Sequence, residues 1–118
     1  MSLVWKHPFT ALVCGPTGCG KTSFVLKFIE NASKVISPPP KHIVWCYGVY
    51  QQAFDEMRNV EFHEGLPESD MLRPDTLLIV DDLMHEADKR IDKIFTKHSH
   101  HNGDSIIFLT PNLFHRGT

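Results

Sequence analysis

A chain of 118 residues with 42% hydrophobic content suits one small globular domain spanning residues 1–118 and leaves no room for two. Its formal net charge of −2 excludes non-specific coating of nucleic acid by the whole surface, so any such contact has to be local. The three cysteines, Cys14, Cys19 and Cys46, form no C-x-x-C pair and argue for a reduced thiol protein rather than a disulfide framework.

No apolar run is long enough to cross a bilayer, and the N-terminus M-S-L-V-W-K-H-P lacks the charged and apolar regions of a signal peptide. An intracellular location, cytosolic or nuclear, is expected. Residues 9–13 form a short β-favouring run that ends at a glycine-rich turn, and they predict a buried strand. A helix is expected from Lys21 to about Ala32, with Phe24, Val25, Phe28, Ile29 and Ala32 on one face. Residues 37–41, S-P-P-P-K, forbid helix and predict a stiff connection. Residues 42–47 read as a second buried strand, and residues 49–58 as a short amphipathic helix carrying Val49, Ala53, Phe54 and Met57.

The polar stretch 59–75 reads as loop, with a scrap of strand at 60–63. T-L-L-I-V at 76–80 is the clearest buried strand and runs straight into Asp81 and Asp82. Ala87, Ile91, Ile94 and Phe95 mark a helix over about 86–98, residues 101–104 a turn, and residues 105–110 a further buried strand. Strands alternating with helices predict an α/β fold with a mostly parallel sheet of about four to five strands and right-handed crossovers.

Gly15-x-x-x-x-Gly20-Lys21-Thr22 matches the Walker A pattern in full, between a predicted strand and a predicted helix as the motif requires. Gly15, Pro16, Thr17, Gly18, Cys19, Gly20, Lys21, Thr22 and Ser23 are therefore the candidate ATP-binding residues. The glycines let backbone N–H groups converge on phosphate, and the helix N-terminus adds partial positive charge. Lys21 is expected to reach the β- and γ-phosphates, and the Thr22 hydroxyl to ligate magnesium. Asp81, at the carboxyl end of a buried strand, is where a Walker B aspartate holds that magnesium opposite Thr22. Asp82 is the candidate catalytic acid that polarises the attacking water; the plainer alternative is an acid capping the next helix.

A paired acid favours hydrolysis. Nucleotide kinases usually need a lid of arginines, and here there are only Arg58, Arg73, Arg90 and Arg116. Another P-loop enzyme, such as a helicase or small-molecule kinase, and a non-catalytic nucleotide-binding module remain alternatives.

G-P-T-G-C-G-K-T, I-V-W-C-Y-G-V-Y-Q, L-L-I-V-D-D-L-M and F-T-K-H-S-H-H-N-G-D-S-I-I-F-L-T-P-N-L-F together resemble the genome-packaging ATPases of large DNA viruses. The version carried by Polinton (Maverick) elements is the most similar, and the resemblance runs from about His7 to Arg116. It implies a P-loop NTPase three-layer sandwich of RecA/FtsK-like type, within the FtsK–HerA group. It also implies ATP and magnesium as cofactors, a homo-oligomeric ring, double-stranded DNA as substrate, viral capsid or portal proteins as partners, and association with the virion. Such motors typically have a γ-phosphate-sensing glutamine just before N-L-F, where this chain has Pro111. Thr110 and Asn112 are the candidates to replace it, and Asn112 is counted with Lys21 and Asp82 as catalytic. The family continues past this point with a further strand and a basic segment holding a candidate arginine finger. The chain is accordingly expected to be a fragment, or a degraded integrated copy.

Other features have two readings. Lys89, Lys93 and Lys97, with Arg90, form either a DNA-facing stripe or a solvated helix face balanced by Glu86 and Asp88. The histidines His98, His100 and His101, with His85 and His115, lack helical ligand spacing and a nearby cysteine, which argues against zinc. Trp45 and Tyr47 are expected to pack the sheet rather than stack a base. His7 and Phe9 are candidates to border the adenine.

Overall fold

The computed structural model describes residues 5–15, 20–66, 73–83 and 103–110. Five strands form one parallel sheet: β2 (Thr10–Cys14), β4 (His42–Tyr47), β5 (Glu61–Glu64), β6 (Thr76–Asp81) and β7 (Ser105–Thr110). Their order is β2-β7-β6-β4-β5, with every neighbouring pair parallel. A separate two-stranded ribbon pairs β1 (Trp5–Lys6) with β3 (Ile36–Ser37). The helical elements are α1 (Lys21–Glu30), α2 (Ala32–Val35) and a 3-10 turn over Gln52–Glu56. The chain is thus α/β, and no helix among the described residues is long and apolar enough to cross a membrane.

β6 lies in the middle of the sheet with β7 beside it, and every residue of these two strands is buried. Burial on both faces is what a continuous rather than alternating apolar pattern encodes. Leu77, Ile79, Ile107 and Leu109 face one way, with Trp45, and pack under Val25, Leu26 and Ile29 of α1. Leu78, Val80, Ile106 and Phe108 face the other way, with Val44, Cys46, Leu66 and Leu83. Burying each such side chain is worth about 1.5–3 kcal/mol, so this sheet anchors the rest.

Three expectations are corrected. The first strand begins at Thr10 rather than Phe9 and is not buried: β2 is an edge strand, and Leu12 is 50% exposed. The helix from Lys21 is interrupted at Asn31, whose side-chain amide turns back to the Lys27 carbonyl at 2.9 Å. Its buried stripe is Val25, Leu26 and Ile29, while Phe24 points outward with 62% exposure. The expected helix over 49–58 shrinks to the 3-10 turn, because Phe54 is its only buried residue and Val49 is 78% exposed.

The scrap of strand expected at 60–63 is present one residue later: β5 pairs in register with β4 from Val44↔Glu61 to Tyr47↔Glu64. The proline-rich stretch after Ser37 is irregular, but Ser37 itself is pinned to Lys6 in the ribbon. The helix expected over 86–98, with its lysines and histidines, lies outside the described residues.

Candidate functional site

In a parallel sheet all carboxyl ends lie along one edge, so the segments after β2, β6 and β7 are gathered together. Two backbone bonds fasten this edge. Gly15, directly after β2, donates its N–H to the Thr110 carbonyl at 3.1 Å, and Asp82, directly after β6, donates to the Leu109 carbonyl at 2.8 Å. The central strand β7 therefore holds the start of the glycine-rich segment and the acid pair on consecutive carbonyls.

The chain enters α1 through Gly20, which has φ 93° and so lies in the left-handed region that favours glycine. Among the described residues no side chain caps α1, and its first turn contains no acid. The leading N–H groups and the positive end of the helix dipole thus meet no capping side chain among the described residues. Lys21 is 8% exposed, unusually low for a lysine, and its Nζ lies 3.6 Å from Asp82 Oδ2. Thr22 is half-buried beside it and Ser23 is exposed.

Asp81 is buried at the end of β6, on the face that α1 covers. Its Oδ2 accepts the indole N–H of Trp45 at 3.1 Å. Burial pushes the Asp81 carboxyl above the usual carboxylate range. The Trp45 hydrogen bond works against that shift, the neighbouring Asp82 charge adds to it, and Lys21 opposes it. Asp82 adopts φ 56°, a left-handed conformation that Asp tolerates better than most residues. Its Oδ1 is buried and has no hydrogen-bond partner among the described residues.

This edge combines a helix N-terminus and a buried ammonium, suited to an oxyanion, with two carboxylates suited to a hard cation. No three His, Cys, Asp or Glu side chains gather into a metal site among the described residues. A magnesium ion fits such a sparse donor set, because it is usually held by one or two carboxylates together with phosphate oxygens and water. The buried, unpartnered Asp82 Oδ1 is the polar atom that still wants a partner here.

Of the predicted site residues, Gly15, Gly20, Lys21, Thr22, Ser23, Asp81 and Asp82 all fall on this edge. Thr110 also ends there, buried between β2 and β6. Pro16, Thr17, Gly18, Cys19, Pro111 and Asn112 lie outside the described residues.

His7 is corrected away from the site. It sits at the opposite, amino-terminal end of the sheet, with Nδ1 2.5 Å from Ser105 Oγ and Nε2 2.6 Å from Asp75 Oδ1. Ser105 Oγ also accepts the Phe9 N–H at 2.8 Å. These are the residue types of a hydrolytic triad, but Ser105 is fully buried and cannot meet a substrate. Phe9 packs instead against Trp5 and Phe28, with ring centroids 5.1 and 6.5 Å apart.

Trp45 is the residue that sequence reasoning undervalued. It does pack the sheet, 5.4 Å from Phe54 and 6.2 Å from Phe62, yet it also holds Asp81. The signal is the register Trp45↔Ile79, which puts Trp45 on the face of Asp81, and register is not readable from a single strand. Compared with protein-family models, with curated proteins and with solved structures, the chain matches none.

Proposed function

We propose that the chain is the core of a P-loop ATPase of RecA/FtsK-like architecture that binds Mg–ATP and hydrolyses it. On the resemblance of its motifs, the work driven is packaging of double-stranded DNA by a ring of such subunits in a virus or virus-derived element. The observation that carries the reading is the contact between Lys21 Nζ and Asp82 Oδ2 at 3.6 Å, across the sheet edge that joins β2, β7 and β6.

A triphosphate laid over the α1 N-terminus takes Lys21 for its β- and γ-oxygens, as in other phosphate loops. Once Lys21 turns to the phosphates, Asp82 has lost its counter-charge and is free to accept a proton from a water aimed at the γ-phosphorus. Asp81 and the Thr22 hydroxyl are the residues that would hold magnesium, whose role when bound is to neutralise charge on the phosphate oxygens. Thr110, at the end of the strand between the two motifs, is the described residue suited to contact the γ-phosphate.

The test is steady-state ATP turnover with and without duplex DNA. Turnover that duplex DNA stimulates, and that Lys21→Ala lowers by roughly a hundredfold, supports the reading. Turnover stimulated only by a small phosphoryl acceptor would point to a kinase, and binding without turnover to a non-catalytic module.

A further inference from the structure

The indole of Trp45 has one polar atom, a donor, and it sits in a side chain with no exposed surface. A buried donor of this kind needs an acceptor, and Oδ2 of Asp81 is the one it has. Phe54 and Phe62 pack beside the ring, and those two rings stack on each other at 4.5 Å, so the indole is held from swinging away. Two consequences follow for Asp81. Its carboxylate plane is fixed by a group that does not titrate. One oxygen is also occupied, which leaves Oδ1, without a hydrogen bond among the described residues, as the atom able to meet a cation.

We infer that Trp45 is a positioning residue that presents Asp81 as a one-oxygen cation ligand; this rests on the reading of the site as a nucleotide–magnesium site. Donors of this sort orient a ligand and temper its charge, and their removal typically weakens metal binding by 10- to 100-fold. A Trp that served packing alone would leave cation affinity unchanged when its N–H is lost, provided its shape is kept.

The experiment uses a Trp5→Phe chain, in which Trp45 is the sole indole; Trp5 belongs to the two-stranded ribbon and packs against Phe9 and Phe28. Mn2+ is titrated in the presence of a saturating non-hydrolysable ATP analogue, and free Mn2+ is read by electron paramagnetic resonance. Quenching of Trp45 emission is read in parallel. Two variants follow: Trp45→Phe, and the chain with benzothienylalanine at position 45, which replaces the N–H by sulfur at nearly constant shape.

The expected result is quenching that saturates with Mn2+ binding and an Mn2+ affinity about tenfold weaker in both variants, with analogue affinity at saturating Mn2+ preserved. If Trp45→Phe unfolds, the benzothienylalanine chain decides alone. Unchanged Mn2+ affinity in a chain that still binds the analogue overturns the inference and leaves the nucleotide reading standing. Failure of the parent chain to bind the analogue overturns both.

Discussion

Lys21 Nζ stands 3.6 Å from Asp82 Oδ2, a buried ammonium facing a carboxylate whose other oxygen has no partner among the described residues. The pair joins the first turn of α1 to the end of β6, two segments 61 positions apart in a chain of 118 residues. Removing the lysine should separate binding from folding. Lys21→Ala is expected to weaken Mg–ATP binding by roughly 10- to 100-fold, the worth of a charge-assisted phosphate contact. Fold stability should change by less than about 1 kcal/mol, since one partner of the pair remains partly solvated. Titration calorimetry and urea unfolding on the same protein read both quantities.

Asp81 carries a cost that its removal should reveal. Burial holds its carboxyl above the usual range, so the fold favours the protonated form. That preference stabilises the protein below the ordinary carboxylate pKa and is lost as pH rises through the raised value. At neutral pH the buried charge therefore weighs against folding. Asp81→Asn keeps a carbonyl for the Trp45 N–H and drops the charge. It is expected to melt roughly 2–5 °C higher at pH 7, with the gain shrinking as pH falls toward and below 3.8. A gain of constant size over that range would contradict the assignment.

Gly20 offers a test of backbone geometry alone. Among the described residues a Cβ built there meets nothing within 4 Å, so the obstacle to substitution is φ 93°. Gly20→Ala should cost about 1–2 kcal/mol in urea unfolding. Gly20→Asn should cost less, because Asn enters the left-handed region more readily. Equal costs would mean that side-chain crowding, not φ, governs the position.

At the other end of the sheet, Ser105 Oγ accepts from Phe9 N–H and lies against His7 Nδ1, while His7 Nε2 reaches Asp75. Ser105→Ala leaves a backbone donor and a ring nitrogen unserved in a buried place. The expected loss is about 1–3 kcal/mol of stability. Nucleotide binding should be untouched, because the cluster lies at the amino ends of the strands. A selective loss of ATP affinity in Ser105→Ala would show that the two ends are coupled.

The central strands were the most legible part of the chain. The T-L-L-I-V and S-I-I-F-L-T runs have no polar alternation, the pattern of a strand covered on both faces, and both are buried throughout. The glycine-rich motif and the acid pair were legible for the same reason: each follows a strand, and a parallel sheet sends strand ends to one edge. What could not be read depended on partners distant in sequence. Thr10–Cys14 looks as apolar as a core strand, and only its place at the sheet edge leaves Leu12 exposed. The ribbon of Trp5–Lys6 with Ile36–Ser37 is two residues long on each side, too short to carry a period. The hydrogen bond from Trp45 to Asp81 depends on strand order and register, which the composition of neither strand reveals.

The most direct measurement is a single-turnover assay of γ-phosphate release from Mg–ATP by the wild-type chain and by Asp82→Asn, with nucleotide binding measured alongside. Release by the wild type, together with an Asp82→Asn chain that binds ATP as tightly but releases phosphate at least roughly a hundredfold more slowly, is the predicted result. Phosphate release at equal rates from both chains, or a wild-type chain that binds no ATP, would contradict the account.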